Sequence, residues 1–217
     1  MGRTHQYKSI ILRTHDVGKA DRFCILLTEE RGKLAARARG VRKPKSHMGG
    51  SLLDFQEAEV SIRESRGNLN ISSACCIQDY CGDLALSNFL QAAQATELLL
   101  ALLEDDHPVP EVFLLIQQFL TGCMAQNRVH ILPFTVRLLQ ELGVFPQEES
   151  HQLFCHLSGE EQEFIRACSQ DQWWKLSLPP QDIDDRLSPL CKRIIAEQTN
   201  RTMRSASIAK EILDDSV

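Results

Sequence analysis

The sequence contains no long hydrophobic run. Its longest unbroken aliphatic stretch covers only residues 98–103, whereas a membrane-spanning helix needs about 20 consecutive apolar residues. The first eight residues, MGRTHQYK, include no apolar signal region. Gln6 occupies the position where an N-myristoylation motif requires Ser or Thr. These features together predict a soluble protein of the cytoplasm.

Paired cysteines are also missing. The chain has 8 Cys but no Cys-x-x-Cys pair, so neither a disulfide framework nor a paired-cysteine zinc site is predicted. Most of the thiols are expected to be reduced core residues. One cluster keeps zinc open as an alternative, and its members are His151, Cys155, His156 and Cys168. Because structural zinc sites favour ligands two to four residues apart, we expect no cofactor and retain this cluster as a candidate metal site.

Signals of catalysis are absent as well. The sequence shows neither a nucleophile paired with a base nor a glycine-rich phosphate loop. Asp182, Asp184 and Asp185 could suggest a metal-dependent nuclease, but acidic residues are favoured at a helix N-terminus for electrostatic reasons alone. The sequence therefore predicts a binding protein rather than an enzyme.

Charge is distributed unevenly along the chain. The formal net charge is -5, yet the first 66 residues carry 14 Lys and Arg against 8 Asp and Glu, a balance of +6, which leaves -11 for the remainder. Such an asymmetry indicates two modules with different partners.

The positive charge is concentrated in residues 31–47, which contain seven Lys and Arg and no acidic residue. The strip is therefore expected to have almost no acidic neighbours. Leu34, Ala36 and Ala38 alternate with other side chains, which predicts a strand that turns these small apolar groups inward. Arg37 and Arg39 then point outward. Phosphate suits such a strip, since each cation that neutralises a phosphate releases condensed counterions. The predicted nucleic-acid contacts are Lys33, Arg37, Arg39, Arg42, Lys43, Lys45 and His47.

The N-terminal third is predicted to form strands separated by turn residues. These strands cover residues 7–13, 21–28, a segment beginning at 33, 57–63 and 69–77, with a polar turn at residues 14–18 after the first strand. Five short antiparallel strands in 80 residues favour a small closed barrel of the OB type, whose open face and loops commonly hold oligonucleotides. Tyr7, Phe23 and Phe55 are assigned to its core, so phosphate contact is expected to dominate over base stacking, and sequence preference is expected to be weak.

From residue 83 the hydrophobic period becomes helical. Helices are predicted near residues 83–103, 112–119, 133–142, 158 onward, 183–198 and 205–213. Ser158 and Glu161 stand in the relation of a capping box at the start of the fourth. The predicted architecture is α+β and multidomain: a five-stranded OB-fold β-barrel in residues 1–81, followed by an all-α helical domain in residues 82–217. Arg128 and Arg137 are cations within the acidic second domain, and they are candidates for binding the acidic tail of a partner protein.

Four N-terminal segments together resemble a known family. Residues 11–18 are ILRTHDVG, residues 20–22 are ADR, residues 26–33 are LLTEERGK and residues 38–46 are ARGVRKPKS. In these segments the chain is similar to the bacterial recombination mediators of the RecO family. The resemblance implies an OB-fold domain that binds single- and double-stranded DNA and anneals complementary strands. It also implies work with RecR in loading RecA onto strands coated by single-strand-binding protein, in association with the nucleoid and without catalysis.

The resemblance weakens in the helical domain. Many members of the family carry a zinc module of paired cysteines after the segment that corresponds to Leu142 and Gly143. Cys155 and Cys168 stand alone in this chain, so either the module is lost or a degenerate His/Cys site remains. On the residues alone, an RNA-binding OB-fold protein and a protein–protein adaptor stay open as alternative functions. Only the resemblance ranks DNA above RNA.

Overall fold

The chain folds as a five-stranded barrel followed in sequence by helices. The structure, a computed structural model, describes residues 3–65, 67–82, 84–125, 129–145, 156–170, 173–176 and 179–199. By compactness the chain divides into a barrel unit, Met1–Asp83 with Leu103–Gln117, and a helical unit, Leu84–Leu102 with Gln118–Val217. The predicted α+β class, with an OB-fold barrel before an all-α region, is confirmed.

Five strands close the barrel in the order β1-β2-β3-β5-β4. Their bounds are β1 Thr4–Val17, β2 Asp21–Thr28, β3 Gly32–Ala38, β4 Gln56–Ser65 and β5 Asn68–Asp79. All neighbouring pairs are antiparallel except β3 and β5, which run parallel and pair through Arg37 with Asn70 and Ala38 with Ile71. After β3 a long connection carries the chain to β4, which pairs with β1. Strand β5 then pairs with β4 on one side and with β3 on the other, and this second pair, which is parallel, closes the barrel.

Strand β1 is longer than predicted. The sequence suggested a polar turn at residues 14–18, but β1 continues to Val17 and the turn falls at residues 18–20. The added residues pair with the start of β2, where His15 lies opposite Phe23 and Asp16 opposite Arg22. A register shift between Ile11 and Arg13 precedes this extension. Residues 14–17 therefore belong to a β-hairpin and not to a loop.

Alternation along β3 sets which side chains fill the barrel. Leu34, Ala36 and Ala38 are buried, while Ala35 and Arg37 between them are exposed. They join an apolar cluster with inward residues of the other strands, among them Leu26 and Val60. The small alanines suit a five-stranded barrel, whose interior is only wide enough for side chains. The predicted orientation of this strand is confirmed.

The segment after the first helix belongs to the barrel unit. Lys33 of β3 forms an isolated parallel bridge with Asp105, and the Asp106 N–H donates to the Lys33 carbonyl at 2.8 Å. Arg31 adds a bidentate pair with Asp106, at 2.7 Å and 2.5 Å. The predicted boundary at residue 81 assigned this segment to the helical domain. The compact units differ from that boundary here, because hydrogen bonds and ion pairs attach the segment to β3.

A buried carboxylate links four parts of the barrel unit. Glu57 on β4, with only 3% of its side chain exposed, pairs with Lys8 of β1 at 3.1 Å. It also accepts hydrogen bonds from the Tyr80 hydroxyl at 2.6 Å and from the Gln117 amide at 2.9 Å. Burial alone would raise the pKa of Glu57, but the hydrogen bonds from Tyr80, Gln117 and Lys8 hold this pKa below its ordinary value. The carboxylate is thus ionised and satisfied at neutral pH.

Five α-helices occur in the described ranges. They are α1 Leu86–Leu102, α2 Pro110–Met124, α3 Ile131–Glu141, α4 Gly159–Cys168 and α5 Gln181–Thr199. The predicted capping box at the start of α4 is confirmed: the Ser158 side chain accepts from the Glu161 N–H, and the Glu161 carboxylate accepts from the Ser158 N–H. The helix predicted at residues 205–213 lies outside the described residues. No described helix is long and apolar enough to cross a membrane.

Aromatic packing forms the centre of the helical unit. Phe119 of α2 lies 4.8 Å from Phe134 of α3 and 6.2 Å from the stacked ring of Trp173, measured between ring centroids. Trp173 is buried and donates its indole N–H to Gln118, whereas Trp174 is half-buried. Of two adjacent tryptophans, then, one completes the core and the other covers it.

We predict that Gly32→Ala strongly destabilises the barrel unit. Gly32 has φ +72° and a Cβ there would overlap the carbonyl oxygen of His107, so the substitution adds steric overlap to left-handed backbone strain. Gly18→Ala is the matched control, because Gly18 has φ +59° with no atom within 4 Å of the added carbon. In urea unfolding, Gly32→Ala should cost at least about 1 kcal/mol more than Gly18→Ala. Equal losses would contradict this close approach.

We also predict a pH-dependent contribution from Glu57. Glu57→Gln removes a buried charged acceptor and should lower the free energy of unfolding at neutral pH by about 1–3 kcal/mol. Glu59→Gln, at an exposed carboxylate of the same strand, should change it by less than about 0.5 kcal/mol. Because the folded pKa of Glu57 is depressed, its stabilisation is complete above the ordinary value of 4.5 and is lost as the pH falls through the folded value.

The difference between wild type and Glu57→Gln should therefore narrow on acidification below pH 4.5. Urea unfolding across this range measures it. A difference that stays constant with pH would show that Glu57 does not gain its stabilisation from the ionised form.

Candidate nucleic-acid interface

Apart from Lys33 at the start of β3, the predicted basic residues lie at the end of β3 and on the loop that follows. Arg39, Arg42, Lys43, Lys45 and His47 are all exposed. The loop is fixed to the barrel by its own residues: the Arg42 N–H donates to the Ala20 carbonyl at 2.9 Å, Val41 is buried in the core and Met48 packs against it. The cations are therefore displayed on an anchored loop.

Gly40 makes the turn from β3 into this loop. Its φ of +65° is a left-handed conformation that glycine adopts without strain, and its carbonyl accepts from the Lys43 N–H at 3.1 Å. The Gly40 N–H donates to Asp21 at 2.7 Å. Lys43 lays its aliphatic stem over Gly40, with side-chain carbons 3.6 Å from where a Cβ would stand. The tight turn thus positions one of the predicted cations.

Three of the predicted cations form ion pairs with carboxylates. Arg37 pairs with Asp21 at 2.7 Å, Arg42 with Asp16 at 3.2 Å and Lys33 with Asp105 at 3.2 Å. The expectation that the strip has almost no acidic neighbours is therefore wrong. Those carboxylates are distant in sequence or lie on the preceding hairpin, so an inspection of residues 31–47 could not reveal them.

The acidic partner of Arg37 is firmly ionised. Asp21 has a pKa held below its ordinary value, first by the hydrogen bond from the Gly40 N–H and then by the guanidinium groups of Arg37 and Arg39. Arg37 nevertheless keeps 46% of its side chain exposed. Lys33 differs, since only 13% of its side chain is exposed and its ammonium faces Asp105. Of the two, Arg37 is the one that an external phosphate can reach.

Three predicted cations have no ion pair within the part of the chain that the structure describes. They are Arg39, Lys43 and Lys45. All three are exposed on the anchored loop or at its entrance, with exposed His47 after them. We call Arg39, Lys43 and Lys45 the open cations. Their side chains can meet a phosphate without first leaving a carboxylate.

One aromatic residue was assigned to the wrong environment. Tyr7 and Phe55 are buried as predicted, but Phe23 is 36% exposed. On β2 the inward positions are Cys24 and Leu26, so the alternate residue Phe23 faces outward. The sequence alone did not decide this, because alternation in β2 puts Phe23, Ile25 and Leu27 on one face and Cys24 and Leu26 on the other, and both faces are apolar. Phe23 lies directly opposite His15 on β1 and Arg37 on β3.

The candidates in the helical unit give a different result. Arg128 lies outside the described residues. Arg137 of α3 pairs with Glu141 at 2.9 Å and donates to the Ser169 carbonyl at 2.7 Å. Its side chain is 30% exposed. The guanidinium thus joins α3 to the end of α4, and its role in binding an acidic tail stays a prediction.

The candidate zinc cluster can be judged only in part. His151 and Cys155 lie outside the described residues, His156 is exposed and Cys168 is buried at the end of α4. Burial raises the pKa of the Cys168 thiol to about 12, whereas zinc binds the thiolate. Among the described residues no group of three or more His, Cys, Asp or Glu could hold a metal ion. Cys168 fits the helical core better than a zinc site.

Comparison with known families gives two matches. The family model described as "Recombination protein O N terminal" matches residues 1–80, which include the five strands. The model described as "Recombination protein O C terminal" matches residues 85–171, which include helices α1 to α4.

Curated relatives agree with these matches. A protein named "DNA repair protein RecO" from Myxococcus xanthus is 33% identical over 163 residues, covering 73% of this chain and 67% of that protein. The protein of the same name from Synechococcus elongatus is 30% identical over 188 residues, covering 83% of this chain and 67% of its own. A third, from Bifidobacterium adolescentis, is 40% identical over 80 residues, which is 37% of this chain.

Proposed function

Because the chain belongs to the RecO family of DNA repair proteins, we propose that it is a recombination mediator whose barrel binds single- and double-stranded DNA. The observation that carries this proposal is the group of open cations, Arg39, Lys43 and Lys45, on an anchored loop of an OB-fold barrel. Neutralised phosphates release counterions, so binding is strong at low salt and weakens as salt rises.

The ion-paired cations contribute to different degrees. An exposed ion pair is worth less than about 1 kcal/mol, so Arg37 and Arg42 can exchange Asp21 and Asp16 for a phosphate at small cost. Lys33 is largely buried against Asp105, so it keeps this ion pair and contributes little to DNA binding. His47 adds a hydrogen bond at the edge of the surface. Contact with phosphate and not with base edges gives weak sequence preference.

Annealing follows from the same charge. Two strands held against a cationic surface repel each other less, so complementary segments pair faster while no covalent bond is made or broken. The residues needed for this are the DNA-binding cations themselves. We therefore propose that annealing requires neither nucleotide nor metal, and that the protein works without catalysis or cofactor.

Mediation also needs a contact with proteins already on the DNA. We propose that RecR and single-strand-binding protein are the partners and that RecA loading is the outcome, as the family suggests. The helical unit, residues 84–102 and 118–217, carries 15 Asp and Glu against 10 Lys and Arg, a net charge of -5. This negative charge disfavours DNA and leaves the helical unit for a protein partner. Arg128 and Arg137 remain the proposed contacts for an acidic tail, with Arg137 having to release Glu141.

The open cations should account for much of the salt dependence. The variant Arg39→Gln, Lys43→Gln, Lys45→Gln should lower the slope of log affinity against log salt by about 2 for single-stranded DNA, since each lost phosphate contact removes about 0.7. A control with equal charge change is Arg166→Gln, Lys192→Gln, Arg193→Gln on exposed positions of α4 and α5. Fluorescence anisotropy with labelled oligonucleotides, with an RNA competitor of the same length, measures both.

The control should keep the wild-type slope, and circular dichroism should show native folding for both variants. An unchanged slope in the open-cation variant would mean that the loop is only a solvated surface. Stronger competition by RNA than by DNA would favour the RNA-binding alternative.

Annealing should proceed in a chelator and without nucleotide. In a fluorescence-quenching assay with complementary strands, wild-type protein should accelerate pairing and the open-cation variant should do so less. Adding RecR should extend the activity to strands coated by single-strand-binding protein. Loss of annealing on chelation would argue for a metal site after all, and coated strands that stay inert with RecR present would contradict the proposed partners.

A further inference from the structure

A transverse row of side chains crosses the outer surface of the barrel. The strand registers place His15 of β1 opposite Phe23 of β2, Phe23 opposite Arg37 of β3, and Arg37 opposite Asn70 of β5. Directly opposite residues on one sheet face have Cβ atoms about 5 Å apart. The row therefore brings an aromatic ring, an imidazole, a guanidinium and an amide to neighbouring positions on one face.

The ring of Phe23 is the unusual member of this row. More than a third of the residue is exposed, and it is the third residue of β2, whose opposite face supplies the core with Cys24 and Leu26. Arg37 directs Nε and Nη2 to the Asp21 carboxylate, at 2.9 Å and 2.7 Å, so its guanidinium is held toward that acid.

We propose that Phe23 is a stacking platform for one unpaired base of a single-stranded nucleic acid. This inference rests on the proposed function, because it needs a strand held on the same surface. Arg37 and Arg39 take the flanking phosphates, and Phe23 offers its π-face to the base that those phosphates carry. His15 and Asn70 border the platform with polar groups that can bond to the edge of the base.

The platform separates single strands from duplex. In a duplex each base is already stacked between its neighbours and paired, so it reaches an external ring only after unstacking. Phosphate contacts are available from both forms. The cations therefore bind both forms of DNA, and Phe23 adds affinity for the unpaired form alone. Stacking accepts any base, because every base has a π-face, so weak sequence preference is retained.

The test compares Phe23→Leu with Phe23→Trp on two ligands. Phe23→Leu keeps an apolar side chain of similar size without a π-face, and Phe23→Trp keeps the π-face. The ligands are an oligothymidine and an abasic oligonucleotide of equal length, which has the same phosphates and no bases. Ile77→Ala is the control, since Ile77 is an exposed apolar residue on β5 of the same barrel.

Phe23→Leu should weaken oligothymidine binding by about 5- to 150-fold, the range that corresponds to loss of one base–aromatic stack. It should leave the abasic ligand, duplex DNA and the salt slope unchanged, because no phosphate contact is lost. Phe23→Trp and Ile77→Ala should bind oligothymidine as wild type does. Thermal melting checks that all variants are folded.

Two results overturn the proposal, and they differ in what else they overturn. If wild-type protein binds neither single-stranded ligand at low salt, the proposed function fails and the platform fails with it. If wild type binds both ligands and Phe23→Leu loses nothing on oligothymidine, or loses as much on the abasic ligand, the platform is wrong while DNA binding by the cations stands.

Discussion

Strand alternation inside a closed barrel is the constraint on which the rest of this surface depends. A barrel of five strands has a narrow interior, and each strand must fill it with every second side chain. In β3 the inward side chains are Leu34, Ala36 and Ala38. Arg37 is then outward without any further requirement, and β2 is fixed in the same way by Cys24 and Leu26. The chemistry of the outer face is a consequence of how the interior is filled.

Local pattern was enough to predict that five strands form and which face of β3 is buried. The inward set of β3 follows from period-two alternation. The bounds of β2 at Asp21–Thr28 follow from a strand-forming run between two turns, and the start of α4 follows from a capping box that spans only four residues. Each of these features depends on neighbours in sequence. The same rule could not place Phe23, because both faces of β2 carry apolar residues, with Phe23, Ile25 and Leu27 on one face and Cys24 and Leu26 on the other.

Features that depend on distant pairing could not be predicted in this way. The carboxylates beside the basic strip come from Asp16, Asp21 and Asp105. Pairing of β2 with its neighbours brings Asp16 and Asp21 close, and the return of the chain after α1 brings Asp105 close. The same holds for the attachment of residues 103–117 to the barrel unit. These carboxylates also orient the guanidinium groups, so part of the conformational entropy of Arg37 and Arg42 is already lost before a ligand arrives.

The bridge between Lys33 and Asp105 has a consequence for self-association. Strand β3 pairs with β5 only at Arg37 and Ala38, so the earlier half of its second edge has no strand beside it in the closed order. Unpaired strand edges are templates for adding a strand from another molecule. Here Asp105 bridges to Lys33 at this edge, and the Asp106 N–H donates a hydrogen bond to the Lys33 carbonyl. The bidentate ion pair between Arg31 and Asp106 fixes this segment against the edge. A barrel cut from the chain before these residues would carry a bare edge beside its cationic loop, and the polypeptide between the first two helices is what keeps that edge from recruiting a neighbour.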